Sequence, residues 1–251
     1  MSAPQVLRYG DDPSQVVELT RPEGRARGVV VVIHGGFWRA RYDLDLGRPL
    51  AADLAARGWV ALNVEYRRVG EGAGGGGGHP RTLDDVAAAI DLLATLDPPV
   101  DRSTVVTLGH SAGGHLAVWA ASRLRHERWA GGVAVTAVVS QAGVVDLVAG
   151  HAERLGDGAV EAFLGRAPDP DDPEDAAVDP LRQVPLDVPV WCVHGTEDDV
   201  VPPSQSRAYV AAATAAGARA RLVEVPGHHR TVIDPGSQAW ARTLDVLDRL
   251  G

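Results

Sequence analysis

The chain has 251 residues and a formal net charge of −9, from 33 acidic against 24 basic side chains. That balance argues against nucleic-acid partners and anionic membranes, and a single cysteine, Cys192, excludes an internal disulfide. No apolar run reaches the length of a membrane span, and the polar stretch 1–12 lacks the apolar core of a secretory signal, so the sequence points to a cytoplasmic enzyme or binding protein.

Residues 7–9 and 15–19 bracket Gly10-Asp11-Asp12-Pro13 and predict an antiparallel hairpin at a sheet edge. After a polar turn at 22–27, the Val/Ile run 28–33 reads as a strand buried on both faces. It ends in His34-Gly35-Gly36-Phe37-Trp38. Helical periodicity at 46–57 stops at Gly58, and 59–64 is the next buried strand. The glycine run 74–78 reads as a mobile surface loop. It is not a phosphate cradle, because no Gly-Lys-Ser/Thr ending follows it. Residues 82–96 predict a helix with Thr82 as N-cap and Asp84 and Asp85 in the first turn.

Further strands are expected at 105–108, 134–141, 190–193 and 221–225, and further helices at 112–124, 204–216 and 237–250. Cys192 falls in one of these strands and is expected in the core. Between them, 144–188 changes character and predicts an insertion of short helices and loops over one end of the sheet, able to serve as a lid. Its stretch 169–175 reads as a solvated acidic loop. Strands alternating with helices predict a mostly parallel, doubly wound α/β sheet of about eight strands, helices on both faces, in a single domain over 1–251.

Catalytic groups in such sheets gather at the carboxyl ends of the strands. Gly109-His110-Ser111-Ala112-Gly113 lies between a strand and a helix, which is the setting of a nucleophile elbow. Three other strand ends carry His34-Gly35-Gly36-Phe37, the acids Glu197, Asp198 and Asp199, and His228-His229. The order serine, aspartate, histidine is that of α/β hydrolases. A serine hydroxyl needs a base within reach, and an aspartate on the far ring nitrogen fixes the base's tautomer.

With HGGFW, GHSAGGHLA, HGTEDDVVP and the late histidine, the chain resembles α/β-hydrolase serine esterases, over roughly residue 28 to the C-terminus. Within them it resembles the kynurenine formamidase (arylformamidase) and carboxylesterase branch, and is also similar to prolyl-oligopeptidase-like esterases. The resemblance implies an α/β-hydrolase fold and a cofactor-independent serine hydrolase of small esters or aryl-formamides. It places Ser111 as nucleophile and, through HGxxDxxVP, Asp198 as orienter. It favours His229 over His228 as base, although Arg230 stands where similar hydrolases carry a hydrophobic residue. It assigns the oxyanion hole to the N–H groups of Gly36, Phe37 and Ala112, leaving His34 to order the loop.

Trp38 and His110 are candidates for lining the substrate pocket, each with packing as its alternative. His34, His110 and His115 do not have the ligand spacing of a metal site. Glu65-Tyr66-Arg67 stands at another strand end and is a candidate to shape the site. The rival expectations are a peptidase, an acyltransferase and a non-catalytic binding protein. The partner expected is a small ester or amide, and a homodimer is one arrangement the sequence leaves open.

Overall fold

The computed structural model describes residues 3–251. Eight strands form one sheet: β1 Gln5–Arg8, β2 Val16–Thr20, β3 Val29–Ile33, β4 Val60–Val64, β5 Val105–His110, β6 Ala137–Gln141, β7 Val190–Gly195 and β8 Ala220–Val225. Their order is β1-β2-β4-β3-β5-β6-β7-β8. β1 and β2 are antiparallel, as the hairpin signal predicted, and all strands from β4 to β8 run parallel.

Side chains alternate across a strand, so β3 feeds two cores. Val29, Val31 and Ile33 enter one apolar layer with α2 (Arg81–Asp91) and α3 (Ala112–Ser122). Val30 and Val32 enter the other with α1 (Arg48–Ala56) and the C-terminal helix, α8 (Gln238–Leu247). A strand buried on both faces can therefore be a continuous Val/Ile run. The chain moves one way from β3 to β4 and the other way from β3 to β5. That reversal opens a crevice beyond the ends of β3 and β5, where such sheets bind ligands.

The insertion holds α4 (Leu147–Ala152), α5 (Leu155–Leu164) and α6 (Pro173–Val178), followed after β7 by α7 (Ser204–Ala215). Residues 169–171 are exposed acidic loop, but 173–175 form the first turn of a helix. Asp172 caps α6, Asp175 is buried, and both pair with Arg166, at 2.5 and 2.7 Å. Thr82 is not an N-cap either. It lies inside α2, where its hydroxyl donates to Arg67 O at 2.6 Å and accepts from Gly78 N at 2.9 Å. The stretch 70–78 is a hydrogen-bonded turn, with Gly77 N donating to Arg68 O and Arg68 N to Gly74 O, both at 2.8 Å. No helix among the described residues is long and apolar enough to cross a membrane.

Candidate active site

β5 ends at His110, and Ser111 follows with φ 57° and ψ −120°, a conformation that costs about 1–3 kcal/mol for a non-glycine residue. Its main chain is held on both sides. Ser111 N donates to Gln141 O at 2.8 Å, and Ser111 O accepts from His115 N at 3.1 Å and Val144 N at 3.3 Å. The turn also demands two glycines. A Cβ on Gly109 would overlap Gly113 O, and one on Gly113 would overlap the carbonyls of Ile33 and His34. The Gly-x-Ser-x-Gly pattern is thus a record of how closely α3 backs onto β5 and β3.

The loops after β7 and β8 bring an acid and a histidine together. Asp198 Oδ1 accepts from the N–H groups of Val200 and Val201, each at 2.9 Å. Its Oδ2 stands 2.7 Å from His229 Nδ1 and 3.3 Å from His194 Nε2. Burial would raise this carboxyl's pKa. The hydrogen bonds from His194 and His229, the charge on His229 and the Val201 N–H outweigh it and hold the group well below the usual carboxylate range. A carboxylate accepts, so His229 Nδ1 carries hydrogen and Nε2 is the nitrogen left for other work.

His228 turns away from Asp198. It is exposed, with Nδ1 2.9 Å from Glu197 O and its N–H bonded to Thr231 Oγ1. Asp199 stands beside the cavity, and α7 starts after Pro203 with no side-chain cap. His194 was not singled out from the sequence. The motif HGxxDxxVP contains it, and the structure shows what it does there: its ring spans Ser206 Oγ, Val201 O and Asp198.

The loop after β3 turns through three positive φ angles: Gly36 at 113°, Phe37 at 53° and Trp38 at 55°. A Cβ at Gly36 would overlap the Tyr42 ring, so close approach and conformation both require glycine there. The N–H groups of Gly36 and Phe37 donate to no acceptor among the described residues. As the first residue of α3, Ala112 has an N–H without an intrahelical partner. His34 anchors the loop from behind. Its ring stacks on Tyr66 at 4.4 Å, Nδ1 faces Gly35 O at 2.8 Å and Nε2 faces Glu65 Oε1 at 3.1 Å. Tyr66 donates to His34 O at 2.7 Å, so Glu65 and Tyr66 act on the site through this loop, while Arg67 pairs with Asp85.

Ser111 and His229 open onto one cavity of about 390 Å³. Phe37, Tyr42, Leu46, Val200 and Ile233 supply apolar wall, and the exposed Asp199, His228 and Arg230 supply charge and polarity. His110 lines the cavity, and Trp38 does not. It is 0% exposed, stacked on Phe163 at 4.6 Å and edge-on to His115 at 5.2 Å. The run of positive φ sends Phe37 to the cavity and Trp38 to the core.

His34, His110 and His115 each have a separate set of contacts. His115 donates to Val178 O at 2.9 Å, and burial lowers its pKa to about 4. Among the described residues no group of three His, Cys, Asp or Glu side chains is placed to hold a metal ion. Cys192 is fully buried, and burial pushes its thiol up to about 12.

Residues 17–212 match the BD-FAE family model. The chain belongs to the BD-FAE family. This BD-FAE member is 29% identical to the esterase LipC of Mycobacterium tuberculosis over 268 residues, 96% of this chain and 64% of that protein. It is 29% identical to the esterase LipQ of the same organism over 219 residues, 82% of this chain and 50% of that protein. The chain thus spans only half to two thirds of the curated relatives it matches. Among solved structures, a truncated carbohydrate esterase from gut microbiota superposes with a TM-score of 0.81 at 22% identity, covering 99% of this chain and 96% of its own. Esterase 2 of Thermogutta terrifontis superposes at 0.75 and 23% identity, covering 98% and 91%. These likenesses establish the α/β-hydrolase fold.

Proposed function

We propose that this BD-FAE member is a serine hydrolase that cleaves small carboxylic esters through an acyl-enzyme on Ser111. The observation that carries the reading is the 2.7 Å bond from His229 Nδ1 to Asp198, beside a cavity that Ser111 also lines. Ser111 Oγ attacks the substrate carbonyl while His229 Nε2 takes its proton. Asp198 holds the ring tautomer and balances the imidazolium. The N–H groups of Gly36, Phe37 and Ala112 receive the negative oxygen, each donor contributing about 3 kcal/mol in the transition state. The tetrahedral intermediate collapses, His229 returns the proton to the departing alcohol, and water attacks the acyl-enzyme by the same route.

Two aromatic walls, Phe37 and Tyr42, suit a small or aryl acyl group. The HGG-Phe-Trp loop also keeps aryl-formamides as a substrate class within this reading. A panel of p-nitrophenyl acetate, butyrate and longer esters, N-formylkynurenine and a prolyl or alanyl anilide tests it, with S111A beside the unchanged protein. Short esters are expected to turn over in the unchanged protein and not in S111A. Formamide cleavage far above the esters selects a formamidase, and anilide cleavage a peptidase. Ester turnover equal in both proteins overturns the assignment of Ser111.

A further inference from the structure

His110 is buried at the end of β5, directly before the serine, and its role is not explained by lining the cavity. Its Nε2 lies 3.0 Å from the main-chain oxygen of His229, and the two rings sit 4.5 Å apart at 45°. A carbonyl oxygen only accepts, so His110 Nε2 carries the hydrogen and donates it. Burial, then the neighbouring His229, lowers the ring's pKa to about 3 despite Asp198, and Arg230 acts in the same direction. The ring is therefore neutral, and its Nδ1 is a bare acceptor with no partner among the described residues.

Gln141 Nε2, at the end of β6, donates to Val232 O at 2.6 Å, and the remaining polar ties of this loop run to the β7 side or within the loop. Gly227 O accepts from Glu197 N at 3.0 Å, His228 Nδ1 faces Glu197 O, and Thr231 N returns to His228 O. Asp198, also on the β7 side, fixes the rotation of the His229 ring but not the height of its main chain above the elbow. The bond from His110 is different, because it runs from the residue before Ser111 to the carbonyl of His229 itself, whereas Gln141 holds the loop three residues further on. We propose that His110 is a positioning residue, whose Nε2–H clamps the His229 carbonyl to the elbow and so sets the separation between base and nucleophile. The inference rests on the serine-hydrolase reading, in which a misplacement of about 1 Å costs up to about a hundredfold.

The test compares His110→Leu, which fills the space without a donor, with His110→Gln, whose amide N–H can reach the same carbonyl. His110→Asn, with a shorter reach, stands in if the leucine variant does not fold. Rates are taken per titrated active site, and thermal midpoints confirm the fold. His110→Leu is expected to lower kcat about tenfold or more with KM within about twofold, and His110→Gln to restore most of it. A second readout does not need turnover: the downfield proton resonance of the His229–Asp198 hydrogen bond, which should broaden or vanish in His110→Leu and persist in His110→Gln. Unchanged kcat and resonance in His110→Leu overturn the proposal. So does a folded glutamine variant as impaired as the leucine one, or a rise in KM with kcat intact, which would make His110 a substrate contact. If the unchanged protein cleaves no ester, the functional reading fails, and the resonance still decides where His110 acts.

Discussion

The loops at the ends of β3, β5, β7 and β8 and the insertion at 144–188 both contain left-handed residues and a buried acid. They treat the acid in opposite ways. Asp198 accepts two N–H groups on one oxygen and faces two histidines with the other, so it keeps its charge out of water. Asp179 in the insertion accepts from Leu181 N at 3.2 Å, but its Oδ2 has no partner among the described residues. Burial, with Asp146 nearby, raises its pKa to about 7 against the Leu147 and Leu181 N–H groups and Arg182. Buried charge persists where donors are prearranged, and is lost where they are not. Ser111→Ala should therefore cut turnover with little change in stability, and Asp179→Asn should do the reverse.

The largest break in that comparison is Ser111→Ala, expected to lower kcat by about 10⁵-fold or more with the thermal midpoint within a few degrees. Asp198→Asn keeps the shape and loses the fixed tautomer, and about 10⁴-fold in kcat is expected. Steady-state ester kinetics check both. Gly36→Ala must move the Tyr42 ring and strain a φ of 113°. It is expected to cost about 10²–10³-fold in kcat, the scale of one lost oxyanion donor.

Asp179→Asn sharpens the other side. The folded-state pKa of Asp179 lies above the unfolded value, near 4, so its contribution to stability is complete below that pH and is lost as pH rises to about 7. The asparagine variant removes this loss. Its midpoint should exceed the unchanged protein's by about 8 °C or more at pH 8 and match it near pH 4, with ester turnover at pH 8 unaltered. Calorimetry at the two pH values reads this directly.

Much of this contrast is written locally in the sequence. The β3 run is all Val and Ile because both faces are covered, and the elbow glycines stand where backbone meets backbone. What was not legible depends on how the chain turns. Phe37 and Trp38 are adjacent aromatics, and only the positive φ angles decide which meets the cavity. For the adjacent His228 and His229 the sequence resemblance favours His229, and the loop carries His229 to Asp198 and His228 to Glu197 O. The insertion was least legible because left-handed Gly156-Asp157-Gly158 opens α5, and because Arg166 pulls Asp172 and Asp175 together across a helix start. Long-range partners of this kind leave no periodic trace.

The proposed ester hydrolysis requires Ser111 to be an activated nucleophile. Intact mass and peptide mapping after brief exposure to a fluorophosphonate test it most directly. One phosphonyl adduct on Ser111, absent in Ser111→Ala and much slower in Asp198→Asn, is the predicted result. A folded protein that remains unlabelled, or that carries its adduct on another residue, would contradict the account.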